Sequence, residues 1–254
     1  MDGLVYWLWL TNLPHVGVKT QRKLIEYFGD ALRVYEADDV AMQNSNLLNV
    51  RQLNAVKNRS LDYAQRLLER CNKLGIGILP ATDKRYPERF QKGSDAPVLL
   101  YYKGKIEAMR LEKTVGIVGA RRCTQTAKRL TGALAEYLTA EGYTIVSGMA
   151  KGVDSYGHTA CLNAGGQTVA VLGNGLDICY PSEHKSLYEA IIDRGVMLSE
   201  YAPCTKPSSF TFPARNRIIA EWSDRLFVIN PGRNSGSFIT ESLAKNLGKE
   251  ALRL

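Results

Sequence analysis

Four short turns, each directly behind an apolar run, carry the residue types that bind phosphate. Val115-Gly116-Ile117-Val118 leads into Gly119-Ala120-Arg121-Arg122. Tyr143-Thr144-Ile145-Val146 leads into Ser147-Gly148-Met149-Ala150-Lys151-Gly152. Thr168–Leu172 leads into Gly173-Asn174-Gly175, and Leu226–Ile229 into Asn230-Pro231-Gly232-Arg233-Asn234-Ser235-Gly236-Ser237. Glycine lets backbone N–H groups come close to a ligand, and a helix N-terminus attracts an anion. Arg or Lys in three of these turns adds positive charge. In an open parallel sheet the carboxyl ends of the strands share one edge, and ligands bind in the crevice there. The pattern predicts one anion-binding crevice suited to phosphates.

A fifth segment, Pro213-Ala214-Arg215-Asn216-Arg217, places two arginines and an amide at the expected start of a helix. Arginines there oppose the helix macrodipole, a cost that a bound anion offsets. Pairing with Glu200 or Glu221 is the competing reading, favoured more for Arg215 than for Arg217.

Residue patterns for catalysis are weak. The first turn is not a dinucleotide fingerprint, because GxGxxG needs glycines at fixed offsets, and no acidic residue ends the next strand. A Walker A loop is absent from the sequence. Ser147, Ser199 and Ser237 lie near turns, but none stands in GxSxG. Asp154 and His158 are four apart on an expected helix and share a face. An ion pair or hydrogen bond that fixes the helix is the preferred reading, since no third ligand follows at metal spacing. A non-enzymatic protein with no catalytic residue, no metal site and no cofactor is expected.

Strands and helices must position these turns. Ile76–Leu79 and Val98–Tyr102 read as strands, and strand and helix alternate from there on. Helices fit residues 127–138, 153–164, 184–194, 214–222 and 237–252. Continuous β-branched strands joined by helices predict an α/β domain with a mostly parallel sheet covered on both faces. Residues 1–75 read as a small helical domain, with stripes at Leu24, Ile25, Phe28 and at Leu61, Ala64, Leu67, Leu68, Cys71. The domain boundaries are therefore expected at 1–75 and 76–254. Leu13-Pro14-His15-Val16-Gly17-Val18-Lys19-Thr20 resembles a helix-hairpin-helix, with His15 where such hairpins usually have Gly.

Composition sets the bounds. The 254 residues carry a net charge of +8. It splits as +5 in residues 1–110 and +3 in 111–254, with no basic tail. A spread excess of this kind favours an anionic partner without identifying it. The five cysteines form no CxxC pair, which fits reduced thiols and a cytoplasmic protein. Val5–Leu10 is apolar but too short for a membrane span and reads as a buried first helix.

Taken together, these stretches resemble the DprA/Smf family of DNA-processing proteins. The resemblance is carried by Gly119-Ala120-Arg121, by Ser147 to Asp154 with His158, and by Gly165 to Asp177. Tyr180-Pro181, Leu198-Ser199-Glu200, Phe212 to Ile219 and Ser235-Gly236-Ser237 continue it. It covers about residues 76–245, and the helical N-terminal part matches more loosely. The family implies an extended Rossmann-like domain behind a small helical domain of the SAM or helix-hairpin-helix kind. It further implies binding of single-stranded DNA, a homodimer, and loading of the RecA recombinase during natural transformation. The DNA pocket corresponds to the Gly119–Arg121 turn, Lys151 and Arg215–Arg217. With the other turns, the expected phosphate- and DNA-binding set is Gly119, Ala120, Arg121, Ser147, Gly148, Lys151, Gly152, Gly173, Arg215, Asn216, Arg217, Ser235, Gly236 and Ser237. Phe210 or Phe212 is the aromatic residue expected to stack on bases.

The chain departs from the family pattern at Asn230 to Asn234 and in ending at Leu254, which implies a domain truncated at its C-terminal edge. The alternative is a nucleotide-binding protein or nucleotide phosphoribohydrolase of the lonely-guy type. Pro231 to Glu241 loosely resembles the PGGxGTxxE loop of those enzymes, with Glu241 as the acid.

Overall fold

A computed structural model describes residues 3–87, 95–108, 112–231 and 236–254. The chain forms two compact units, Met1–Leu100 and Tyr101–Leu254. Six helices open the first unit: α1 (Leu4–Thr11), α2 (Val18–Phe28), α3 (Ala31–Glu36), α4 (Asp39–Asn44), α5 (Val50–Lys57) and α6 (Asp62–Lys73). Trp7, Leu8, Trp9 and Leu10 of α1 are all buried, so the apolar opening run is a core helix. Several of the other helices are short and depend on caps. Asp30 accepts the Arg33 N–H at 2.8 Å, and Asp38 accepts that of Ala41 at 2.7 Å. Asn49 and Gln52 close a reciprocal capping box on α5. Strand β1 (Gly77–Pro80) packs on α1 and α6, which places the strand with the helices.

The hairpin between α1 and α2 has its left-handed residue at His15, with φ +65°. That conformation explains why glycine is the usual occupant of such a position. Gln52 Nε2 donates to the His15 carbonyl at 3.0 Å, and Gln21 Nε2 to that of Val16 at 2.8 Å.

In the second unit strands and helices alternate. They run β2 (Leu99–Gly104, crossing the division), β3 (Thr114–Gly119), α7 (Gln125–Ala140), β4 (Thr144–Ser147), α8 (Val153–Asn163) and β5 (Thr168–Leu172). There follow α9 (Lys185–Arg194), β6 (Val196–Ser199), α10 (Thr211–Trp222), β7 (Arg225–Ile229), α11 (Gly236–Asn246) and β8 (Glu250–Arg253). The strand order is β2-β6-β5-β4-β3-β7-β8. β2 runs antiparallel to β6, and the other pairs are parallel. This is the Rossmann-like α/β arrangement that the sequence predicts. β4, β5 and β6 are buried along their whole length, as strands covered on both faces must be. Val115, Ile117, Ile145, Phe227 and Ile229 of the sheet pack with Ala135 and Leu138 of α7 and Val153 and Ala160 of α8.

From β3 the chain steps through β4, β5 and β6 in one direction. It then returns to place β7 on the other side of β3. The carboxyl ends of β3 and β7 therefore flank a topological switch point, where connections diverge and leave a crevice.

The expected helix over 237–252 is corrected. Helix α11 stops at Asn246, Gly248 turns with φ +71°, and Glu250–Arg253 pairs parallel with β7. The sheet thus gains a strand where an incomplete edge was expected. Lys249 fixes the reversal, its ammonium donating to the carbonyls of Ala220, Glu221 and Ser223 at the end of α10. α10 begins at Thr211, and Pro213 occupies the first turn, where its missing N–H is harmless. All five cysteines are free thiols. No helix among the described residues is long and apolar enough to cross a membrane.

Glu241 binds α11 to β8. Its buried carboxylate accepts from Lys245 Nζ at 2.8 Å and from Arg253 Nε at 2.9 Å. Burial pushes its pKa up, and the hydrogen bonds from Lys245 and Arg253 outweigh that, leaving it below the ordinary glutamate value. Its stabilising contribution is therefore complete above about pH 4.5 and is lost as pH falls through the folded-state pKa. Glu241→Gln is expected to destabilise the fold by about 1–2 kcal/mol at pH 7. The gap to the parent should narrow as pH falls below about 4.5 in urea unfolding; a gap independent of pH would refute the ion-pair role.

Candidate nucleic-acid interface

The crevice at the switch point has a volume of about 680 Å³. Its walls are the turn behind β3 (Gly119, Ala120, Arg121, Arg122), one face of α10 (Phe212, Arg215, Asn216, Ile219) and the start of α11 (Gly236, Ser237, Thr240). A smaller adjoining cavity of about 70 Å³ shares Arg121, Phe212 and Arg215 and adds Gly148, Lys151, Gly173 and Tyr180. Twelve of the fourteen residues expected from the sequence can be placed at or behind these walls. Arg217 lies away from them, and Ser235 falls outside the described residues.

Arg215 forms the floor. It is 5% exposed. Its Nη1 donates to the carbonyl of Gly148 at 2.7 Å and to that of Val171, and Nε donates to Asn216 Oδ1 at 3.1 Å. Asn216 Nδ2 in turn donates to the Gly236 carbonyl at 3.1 Å. One guanidinium thereby joins the ends of β4 and β5 to the start of α11. A Cβ on Gly148 would lie 2.3 Å from Arg215 Nη1, so only glycine permits this approach. Burial pushes the Arg215 pKa down to about 10, with the charge of Asp154 opposing and that of Arg121 adding to the fall. At neutral pH the side chain is cationic.

Asp154, in the first turn of α8, faces Arg215. Its carboxylate accepts the N–H groups of Gly148 and Ala150 at 3.2 and 3.3 Å. Burial raises its pKa, and the Arg215 charge and these amide bonds oppose the rise. Gly152 has φ +81°, and a Cβ there would lie 2.3 Å from the Ala120 carbonyl. The turns behind β3 and β4 meet at this point, where the Val153 N–H donates to Ala120 at 3.2 Å.

Arg121 and Lys151 stand exposed at the rim, beside Arg122. The Arg121 guanidinium lies 5.6 Å from the centroid of the Phe212 ring. Lys151 forms an ion pair with Glu183. Phe212 lines both cavities, whereas Phe210 is 86% exposed and lines neither.

Three readings of side chains are corrected. His158 does not pair with Asp154. Its Nδ1 meets Thr168 Oγ1 at 2.6 Å, and burial, with the charges of Arg215 and His184, lowers its pKa to about 3. The Ser147 hydroxyl is buried and donates to the Ile117 carbonyl, so it joins β4 to β3 and does not face the crevice. Arg217, not Arg215, pairs with Glu200, because the helical turn points them to opposite partners. Glu241, the acid of the phosphoribohydrolase alternative, is held by Lys245 and Arg253 and does not line the crevice. Among the described residues no group of His, Cys, Asp and Glu could hold a metal ion. Tyr180 enters the sequence reading only as part of the Tyr180-Pro181 motif and without a role in the site, and Glu183 does not enter it at all.

Residues 77–254 match the family model described as DNA recombination-mediator protein A. Protein Smf of Synechocystis is 33% identical over 254 residues, covering 98% of this chain and 64% of its own length. DNA processing protein DprA of Streptococcus pneumoniae is 40% identical over 172 residues, covering 68% of this chain and 60% of its own. The chain spans about three fifths of the length of the curated relatives it matches. The X-ray structure of DprA from S. pneumoniae superposes with a TM-score of 0.85 at 30% identity, over 98% of this chain and 86% of that one. A structure reporting the single-stranded DNA binding mode of DNA processing protein A from Helicobacter pylori gives 0.64 at 30% identity, over 70% and 80%.

Removing the floor cation leaves two buried carbonyls without this donor and the Asp154 carboxylate without its balancing charge. Arg215→Ala is expected to destabilise the fold by about 3–5 kcal/mol. Arg121→Ala, at an exposed site, should stay within about 0.5 kcal/mol of the parent. Equal unfolding midpoints in urea for the two variants would contradict this division.

Proposed function

The chain belongs to the DNA recombination-mediator protein A family, and on that premise we propose that its crevice binds single-stranded DNA. The observation that carries the reading is the convergence of a buried arginine, an exposed arginine and two glycine turns at the switch point, beside an aromatic ring. Cations neutralise phosphates, and the glycine turns let the strand come close to them. Phe212 supplies an apolar face beside the cations, the combination used for strands whose bases are unpaired. The sequence carries no recognition-helix or base-reading motif, so neither sequence readout nor duplex preference is expected.

The protein acts as a binder and mediator in this reading, not as an enzyme. Asp154, His158 and Glu241, the groups most like catalytic residues, are engaged in structural bonds. The family premise supports the further steps: a cytoplasmic homodimer that delivers the strand to RecA recombinase, in natural transformation.

Single-stranded oligonucleotides are expected to bind better than duplex of the same length, with affinity falling steeply as salt rises. Arg121→Ala should weaken binding and lower the slope of log affinity against log salt by about one. Anisotropy titrations across a salt series measure both. Equal affinity for duplex and single strand, or an unchanged Arg121→Ala, would contradict the proposal.

A further inference from the structure

The rim of the crevice carries a ring and an ion pair that phosphate binding at Arg121 and Arg215 does not use. Tyr180 stands on the connection behind β5 and is 43% exposed. Its ring stacks on Phe212, with centroids 5.6 Å apart and planes at 27°. Arg121 lies over the same Phe212 ring. Guanidinium and Tyr180 ring thus both contact Phe212, and Tyr180 keeps nearly half its surface open.

Three residues further on, Glu183 sits in the short 3-10 turn Ser182–His184 and pairs with Lys151. His184 Nδ1 donates to the Met149 carbonyl at 3.1 Å, which holds this turn against the loop that carries Lys151. Both members of the ion pair are more than half exposed. A pair so exposed is weak and screened by salt, so a phosphate can exchange for the carboxylate. Lys151 and Tyr180 line the same small cavity, contiguous with the main crevice through Arg121, Phe212 and Arg215.

We propose that this rim is a second nucleotide subsite, in which a base continues the stack on Tyr180 and its phosphate takes Lys151 from Glu183. The inference rests on the crevice being the DNA site and adds two residues to it. Tyr180 is a base platform, which tolerates any sequence because every base has a flat face. Glu183 is an anion that the strand displaces, so its presence lowers affinity. Without it Lys151 carries a solution counterion, which binding then releases.

The test is a salt series of anisotropy titrations on the full chain with a labelled oligothymidylate, with thermal melting of each variant. Tyr180→Leu is expected to weaken binding about tenfold with an unchanged salt slope, because no charge is lost. Tyr180→Phe should bind like the parent. Glu183→Gln should bind several-fold tighter, with a slope steeper by up to about one. Adding Lys151→Ala to Glu183→Gln should abolish that gain. Parental affinity in Tyr180→Leu, or no gain in Glu183→Gln, overturns the subsite. Should Tyr180→Leu fail to fold, the surface change Glu183→Gln decides alone. Arg121→Ala separates the two levels. Where Tyr180→Leu or Glu183→Gln has gone against the subsite, an Arg121→Ala that weakens binding means that the subsite alone falls and the crevice stands; an Arg121→Ala that binds like the parent means that both fall.

Discussion

A single buried guanidinium holds the crevice together. Arg215 is removed from water and keeps its charge, which an interior tolerates only where the donors are used. Its partners are main-chain carbonyls at the ends of β4 and β5, and through Asn216 it reaches the start of α11. Asp154 supplies the balancing carboxylate and is itself held by the N–H groups of Gly148 and Ala150. The ends of two neighbouring strands and the start of α11 are thereby tied to one positive centre. Gly148 follows from the same constraint, because any side chain there would occupy the guanidinium's place.

Topology decides where that centre lies. The sheet order puts β7 beside β3 after the chain has run outward through β4, β5 and β6. The connections above β3 and β7 diverge, and the opening between them is the crevice. The buried cation forms its floor, while Arg121 and Lys151 stand exposed at the rim with an aromatic ring and a carboxylate as their present partners. Such partners can be exchanged for a ligand's groups at small cost, whereas those of Arg215 cannot.

The sequence makes legible what is local. Apolar runs ending in glycine turns mark β3, β4, β5 and β7, because a parallel strand buried on both faces has to be continuous and its turn has to be tight. Misread side chains share one cause, which is that their partners are distant in sequence or hidden by the helical turn. Ser147 bonds to Ile117 and His158 to Thr168, and neither contact leaves a periodic trace. Arg215 and Arg217 are two residues apart and so face different surroundings; which of them meets Glu200 depends on how α10 packs. β8 was hidden because Glu250–Arg253 is a short, charged edge strand, although Gly248 gave a stop signal. Stacking of Tyr180 on Phe212 joins residues 32 positions apart and becomes visible only in the folded sheet.

The central claim is that a single strand lies in the switch-point crevice, against the turns behind β3 and β4. Hydrogen–deuterium exchange with and without a saturating oligothymidylate tests it most directly, because it reports the protection of those turns segment by segment. The account predicts slowed exchange in residues 119–122, 148–153 and 211–217, with the helical residues 1–75 unchanged. Protection confined to the helical unit, with those turns exchanging at the unbound rate, would contradict it.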